Sequence, residues 1–300
     1  MKKIIAIVLM LALALTGAAF AEDAALTLVA PTGAPALAVA TMAVENPDNF
    51  TFVAADTIAS EFAKNEADFI IAPINAGAKL YKAGKSTYRL AAVVTWGNLY
   101  FASQKEGFSA DSLQGADLTL FGENTINASV VLATLEAKGI TPASVGYLAG
   151  AAETQAELLS NPEAIVVTAD PALTAAKIKN EKVQAISVEE MMADALGMDG
   201  YTQAGLFVRA ETLAEKADAA AAYLESVREA AGAEVAAMAE AGVALEILPN
   251  VKVAQAAIPG CNIRFVAAQE AREAVEKTAA IDLSQYGGEV PADDFYYAAK

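Results

Sequence analysis

The chain of 300 residues has no histidine, one cysteine, one tryptophan, and only 20 Lys plus Arg against 37 Asp plus Glu. Each shortage excludes something. Without histidine there is no imidazole general base, no His-containing nucleophilic triad and no His-ligated metal site. A lone Cys261 can form neither an internal disulfide nor a CxxC redox pair nor a thiolate cage. A formal charge of −17 repels phosphate backbones and anionic headgroups, so neither nucleic acid nor polybasic membrane docking is expected. GxSxG, Ser-x-x-Lys, P-loop, GxGxxG and EF-hand patterns are all missing. No metal and no cofactor is expected.

What is present begins at the N-terminus. Met1-Lys2-Lys3 is basic, residues 4–15 are an apolar run of twelve, and Ala19-Phe20-Ala21 offers small residues before Glu22-Asp23. This is the pattern of a secretory signal peptide, residues 1–21, cut after Ala21. A spanning helix needs about twenty apolar residues, and no later stretch is long and apolar enough to span. Ala18 stands where a lipid-anchored precursor would need cysteine. The expected product is exported, periplasmic or extracellular, and without a lipid anchor.

Beyond the signal, short apolar runs alternate with helical segments. Strands are expected over 26–30, 49–54, 68–72, 89–94, 98–103, 117–121, 144–147 and 164–168, with helices between most of them. That alternation predicts an α/β fold with largely parallel sheets. Pro171 is expected at a first helical position, and Ser187-x-x-Glu190 and Thr212-x-x-Glu215 read as capping boxes. Residues 69–80 loosely echo 165–176, each an apolar strand turning through small residues into a helix. Two similar α/β units would produce that echo, as would any two βα units. Residues 211–242 are Ala-rich, with Leu213, Ala217, Ala220, Leu224, Val227, Ala231, Val235 and Met238 forming a helical stripe. This helical last third is expected to wrap back onto the first unit.

Four strand-to-helix turns of small and hydroxyl residues stand out: Pro31-Thr32-Gly33, Pro73-Ile74-Asn75, Gly122-Glu123-Asn124-Thr125 and Thr168-Ala169-Asp170-Pro171. Ligands of open α/β sheets bind at the carboxyl ends of strands, where helix N-termini present free N–H groups. Each turn is equally readable as an ordinary N-cap. Trp96, beside Gly97 and Asn98, either stacks on a flat ligand or plugs the core. Cys261 reads as a small buried hydrophobe.

In Val29-Ala-Pro-Thr-Gly33, Asp68-Phe-Ile-Ile-Ala-Pro-Ile-Asn75, Gly115-Ala-Asp-Leu-Thr-Leu-Phe-Gly122, Ala169-Asp-Pro171, Tyr201-Thr-Gln-Ala-Gly-Leu-Phe-Val-Arg209 and Gly287-Gly-Glu-Val-Pro-Ala-Asp-Asp-Phe-Tyr-Tyr297, the chain resembles the periplasmic-type solute-binding proteins of ABC importers, in the nitrate/sulfonate/taurine and thiamine-precursor (hydroxymethylpyrimidine) branch. The resemblance implies a type II two-lobe fold with two crossover strands, 98–103 and 203–208, and a ligand cleft between the lobes. It implies lobe I from 22–102 and 207–300, lobe II from 103–206, and ligand contacts at Thr32, Gly33, Asn75, Trp96, Asn98, Thr125 and Asp170. It further implies a monomer that closes on a small molecule and presents it to a membrane permease. Thiamine-pyrimidine-forming enzymes of the same fold carry His- and Cys-containing motifs that this chain lacks. Asp170 and Glu123 with Trp96 suit a flat aminopyrimidine-like heterocycle; a sulfonate or similar small anion comes next, since the turns hold no Arg or Lys. The alternatives are a ligand-sensing module that presents its state to a receptor, and a histidine-free enzyme on this fold.

Overall fold

In a computed structural model, the structure describes residues 25–198 and 200–298; the expected signal peptide, residues 1–21, lies outside the described residues. Among the described residues the strands fall into two sheets. One contains β1 (Leu28–Pro31), β2 (Phe50–Val53), β3 (Phe69–Pro73), β4 (Arg89–Thr95), β10 (Ala204–Val208) and β11 (Ile263–Ala267), in the order β11-β4-β10-β3-β1-β2. The other contains β5 (Leu99–Ser103), β6 (Asp117–Phe121), β7 (Ser144–Leu148), β8 (Ile165–Ala169) and β9 (Gln184–Ser187), in the order β7-β6-β8-β5-β9. Strands β1, β8 and β10 are buried along their whole length and β3 along nearly all of it. They sit between helices on both faces, which is why they read as unbroken apolar runs. Edge strand β7 alternates exposed and half-buried residues. The four-residue β9, half-buried throughout, has no such run.

The sheets are mixed rather than largely parallel. Strand β1 runs parallel to β2 and β3, and β6 runs parallel to β7 and β8. Strand β10 is antiparallel to β3 and β4, and β5 is antiparallel to β8 and β9. The reason is topological: β5 and β10 each enter their sheet directly from the other one, so each must run against its neighbours. With β11 set aside, the two sheets share one plan, β4-β10-β3-β1-β2 against β9-β5-β8-β6-β7. Strands β3 and β8 hold equivalent places, and these are the strands of the echoing segments. The chain leaves the first sheet after Thr95 and joins the second at Leu99, then returns between Leu196 and Ala204. Strands β5 and β10 each pair along their whole length within the sheet they enter.

The last third returns to the first sheet: β11 extends it beside β4, and Tyr297 N–H bonds Leu90 O at 2.7 Å. The Ala-rich stretch, however, is three helices, Ala210–Glu215, Ala217–Ala231 and Val235–Ala244. The stripe holds within the second helix, where Ala220, Leu224, Val227 and Ala231 are buried, but Ala217 and Val235 at the breaks are exposed. Two local expectations change. Thr212 lies inside the first of these helices, where its hydroxyl donates to the buried Asp68 at 2.7 Å, so it caps nothing. Pro171 occupies the N-cap of the helix Ala172–Lys179, one position before the first turn. Ser187 does cap, accepting from Glu190 N–H at 3.2 Å.

Candidate functional site

The strand directions decide where the turns lie. The carboxyl ends of β1, β3 and β4 leave one edge of the first sheet; those of β6, β7, β8 and β9 leave one edge of the second. Both crossings, Thr95 to Leu99 and Leu196 to Ala204, join these two edges. Thr32, Gly33, Asn75, Trp96, Asn98, Thr125 and Asp170 therefore all lie along the edges that face one another.

Five helices start along these two edges without an N-cap side-chain bond: Ala34–Leu37, Ile74–Lys82, Ile126–Ala137, Ala151–Ser160 and Ala172–Lys179. This differs from the plain N-cap reading. Thr125 sits at the N-cap position, but its hydroxyl donates to Gly122 O at 2.6 Å. Some first-turn N–H groups are taken within the protein, Ile74 N–H by Gln203 O at 3.1 Å and Thr174 N–H by Asp170 Oδ1 at 3.0 Å, while no N-cap side chain claims those of Ile126–Ala137 and Ala151–Ser160. Asn75, the second residue of its helix, has an Oδ1 atom that is buried without a hydrogen-bond partner. A buried acceptor left open is costly, and it marks a place where a donor group would fit.

The other predicted residues are engaged within the protein. Asn98 is buried: its Nδ2 donates to Asp170 O at 2.7 Å, and its Oδ1 accepts from Gln203 Nε2 at 3.2 Å. Trp96 is 6% exposed, donates from Nε1 to Arg264 O at 3.1 Å, and has the Arg264 guanidinium 4.2 Å over its ring. One indole face is thereby covered by a cation that the turns themselves did not contain. Thr32 is exposed, and Gly33 turns the chain into its helix at φ +101°, a conformation open to glycine. Asp170 Oδ1 accepts from Thr174 N–H at 3.0 Å, and desolvation raises this carboxyl above its ordinary pKa. Its Oδ2 lies so close to Gly260 that a Cβ there would stand 1.9 Å away. Gly260 belongs to the first lobe and Asp170 to the second, so the lobes touch at this point. The helices Val251–Ala257 and Ala172–Lys179 pack together beside it. Cavities of about 630 and 530 Å³ lie elsewhere, beneath the tail around Tyr286 and Phe295 and between Ala217–Ala231 and β11, and include none of the seven residues.

Some members of this region were not singled out from sequence. Glu189, second in the helix Val188–Leu196, reaches the first crossing, where Oε1 accepts from Leu99 N–H at 3.1 Å. Burial lifts its carboxyl to about 7, against the pull of the hydrogen bonds from Leu99 N–H and Ser187. Tyr201, wholly buried in the second crossing, donates to Asn127 Oδ1 at 2.8 Å and accepts from Gln203 Nε2 at 3.3 Å. Tyr201 and Gln203 stood in a quoted motif, but Glu189 looked like one more acid on a helix surface. Cys261 is buried and burial raises its thiol pKa strongly, in keeping with a packing role. Among the described residues, no cluster of three His, Cys, Asp or Glu side chains could hold a metal ion.

These two lobes, with their mixed sheets, are the α/β architecture of type II periplasmic binding proteins. An ABC transporter structure from Parabacteroides distasonis superposes with a TM-score of 0.77 at 19% identity, over 93% of this chain and 100% of that one. The periplasmic aliphatic sulphonate-binding protein SsuA of Escherichia coli gives 0.68 at 13%, over 93% and 94%. The alkanesulfonate-binding SsuA of Xanthomonas axonopodis pv. citri, bound to MOPS, gives 0.66 at 14%, over 92% and 99%. No protein-family model and no curated protein matches the sequence.

Proposed function

We propose that this protein is the extracytoplasmic solute-binding component of an ABC importer, capturing a small molecule between its lobes and delivering it to the permease. The observation that carries this reading is the convergence of uncapped helix N-termini from both lobes on a cleft bridged by two crossings. Capture and release require no bond-making group, and the reading assigns the protein no enzymatic role. It places the protein outside the cytoplasm as a monomer, in accord with the leader-like N-terminus; no described helix is long and apolar enough to cross a membrane.

For the ligand, two observations favour a small solute with a sulfonate-like anionic head over the aminopyrimidine first expected. The starts of Ile126–Ala137 and Ala151–Ser160, without a capping side chain, offer N–H groups and positive dipole ends to an anion. The carboxyls of Asp170 and of Glu189 at the first crossing sit where burial favours their neutral forms, which suits them poorly as counter-ions for a cation. The aminopyrimidine stays as the second reading because Asn75 Oδ1, buried without a partner, is an acceptor that a ligand N–H would satisfy.

The test is a thermal-shift panel on residues 22–300, unfolded and refolded to strip carried-over ligand, with alkanesulfonates, taurine, nitrate, aminopyrimidines and thiamine. A true ligand at about a hundred times its Kd adds ~2.7 kcal/mol, a Tm rise of several degrees. A shift with sulfonates alone supports the first ligand reading, and a shift with aminopyrimidines alone replaces it. Product formation from any compound would move the protein to the enzyme class. Silence across the panel removes both ligand readings and favours the sensing module.

A further inference from the structure

Ser129 and Asp282 meet across the lobes. Ser129 lies one helical turn beyond Thr125, in the second-lobe helix Ile126–Ala137. Asp282 ends the first-lobe helix Ala268–Ile281, and the two helices pack against one another. The Ser129 hydroxyl has one proton and two acceptors in reach: Asp282 Oδ2 at 2.7 Å and Thr125 O, in its own helix, at 3.2 Å. The shorter contact is to a carboxylate, and a charge-assisted bond is the stronger of the two.

Asp282 is preset for this role. Its Oδ1 accepts from Ser284 N–H at 3.1 Å and Ser284 Oγ at 2.6 Å, all within the first lobe. That clamp turns Oδ2 toward the second lobe whether or not Ser129 is there. Hydrogen bonds from Ser284 and Ser129 hold the carboxyl below its ordinary pKa, so it keeps its charge well into the acid range. When the lobes part, neither group is stranded. The hydroxyl falls back on Thr125 O, and the half-exposed carboxylate meets water.

We infer that Ser129 and Asp282 form a latch that biases the lobes toward the closed arrangement, with the Ser129 hydroxyl alternating between Asp282 when closed and Thr125 O when open. These are positioning residues: they touch no predicted ligand contact except through the Thr125 backbone. Resting on the solute-binding reading, the latch sets how long a captured solute is retained. Loss of one charge-assisted bond is expected to speed release about tenfold.

The test needs no ligand. Spin labels at Asp56→Cys and Ala149→Cys sit on exposed turns after β2 and β7, the outermost strands of the two sheets, while the native Cys261 is buried and unreactive. Interlobe distances are then read by pulsed dipolar spectroscopy in the parent, S129A, S129T and S129D. The expected result is a longer, broader distribution in S129A, the longest in S129D, where two carboxylates would face each other, and the parent distribution in S129T, which keeps the hydroxyl. Circular dichroism confirms that each variant is folded. Identical distributions in all four, or opening in S129T equal to that in S129A, overturn the latch. A compound that still shifts Tm while the distances stay fixed removes the latch and leaves the solute-binding reading standing. Distances that respond without any shift across the panel do the reverse.

Discussion

The two lobes follow one strand plan but obtain it from the chain differently. The second sheet is threaded by a single uninterrupted stretch, from Leu99 to Ser187, whereas the first needs β10 and β11 to return after that whole stretch. A lobe assembled from two distant segments needs something to stitch them. Asp68, 8% exposed at the start of β3, supplies it: its carboxylate accepts from Thr27 N–H at 3.0 Å and Thr212 Oγ1 at 2.7 Å, with Arg209 Nη2 at 3.5 Å. Ala164 holds the equivalent place before β8, where one neutral bond from Ser103 Oγ to Ala164 O, 2.7 Å long, suffices. Equal topology therefore does not mean equal bonding. The discontinuous lobe spends a buried charge where the continuous one uses a hydroxyl.

The largest expected effect lies at the joint between the lobes. Gly97 has φ +77°, and a Cβ would stand 2.6 Å from Tyr201 Cε1 and 2.7 Å from Glu189 Oε1. Gly97→Ala should cost ~3 kcal/mol or more, lowering Tm by roughly 10 °C at this chain length. A loss of a degree or two would mean that the crossing relaxes freely and the lobes are less rigidly joined than their contacts suggest. Next comes the stitch. Asp68→Ala should cost about 3 kcal/mol by leaving Thr27 N–H and the Thr212 hydroxyl without their acceptor, against about 1 kcal/mol for Ser103→Ala. Equal losses in urea titrations would break the contrast between the lobes.

Glu189 connects lobe II to the crossing and makes stability depend on pH. Its carboxyl is raised from 4.5 to about 7, so the contribution of the neutral form is fully present below about pH 4.5 and is lost as pH rises through about 7. Measured against Glu189→Gln, which keeps an acceptor for Leu99 N–H, the parent should lose ~3 kcal/mol across that window. A flat difference from pH 4 to 8 would show that the carboxyl is hydrated. The smallest effect sharpens a comparison among helix starts. Ser187→Ala removes a true cap and should cost about 1 kcal/mol. Thr125→Ala should cost less than Ser187→Ala, because its hydroxyl caps no N–H. Equal costs in chemical denaturation would mean that the Thr125–Gly122 bond matters as much as a cap.

Much of this architecture was legible in the residues. Buried strands such as β3 and β8 announce themselves as apolar runs, and the small-residue turns that follow them lie along the edges where the two sheets face one another. The echo between 69–80 and 165–176 pointed to strands that hold equivalent places. What escaped were features whose signal is not local. The four residues of β9 have no apolar run, because half-burial at an edge demands none. Thr212 carries a capping pattern, but a buried carboxylate from the other end of the lobe claims its hydroxyl. Trp96 could be placed near the crossing, yet the Arg264 that covers its ring is 168 positions away along the chain.

The sequence by itself determined the alternation of strands and helices, the absence of imidazole and thiolate chemistry, and the turns from which a ligand site could be built. Those depend on the periodicity of apolar residues and on local backbone preference, which act over a few residues. The tertiary structure alone decided that β5 and β10 run against their neighbours, that Gly260 seats against Asp170, and that Glu189 is buried at a crossing rather than solvated on a helix. These depend on which distant segments meet. Desolvation and packing are properties of the meeting, and no single segment carries them.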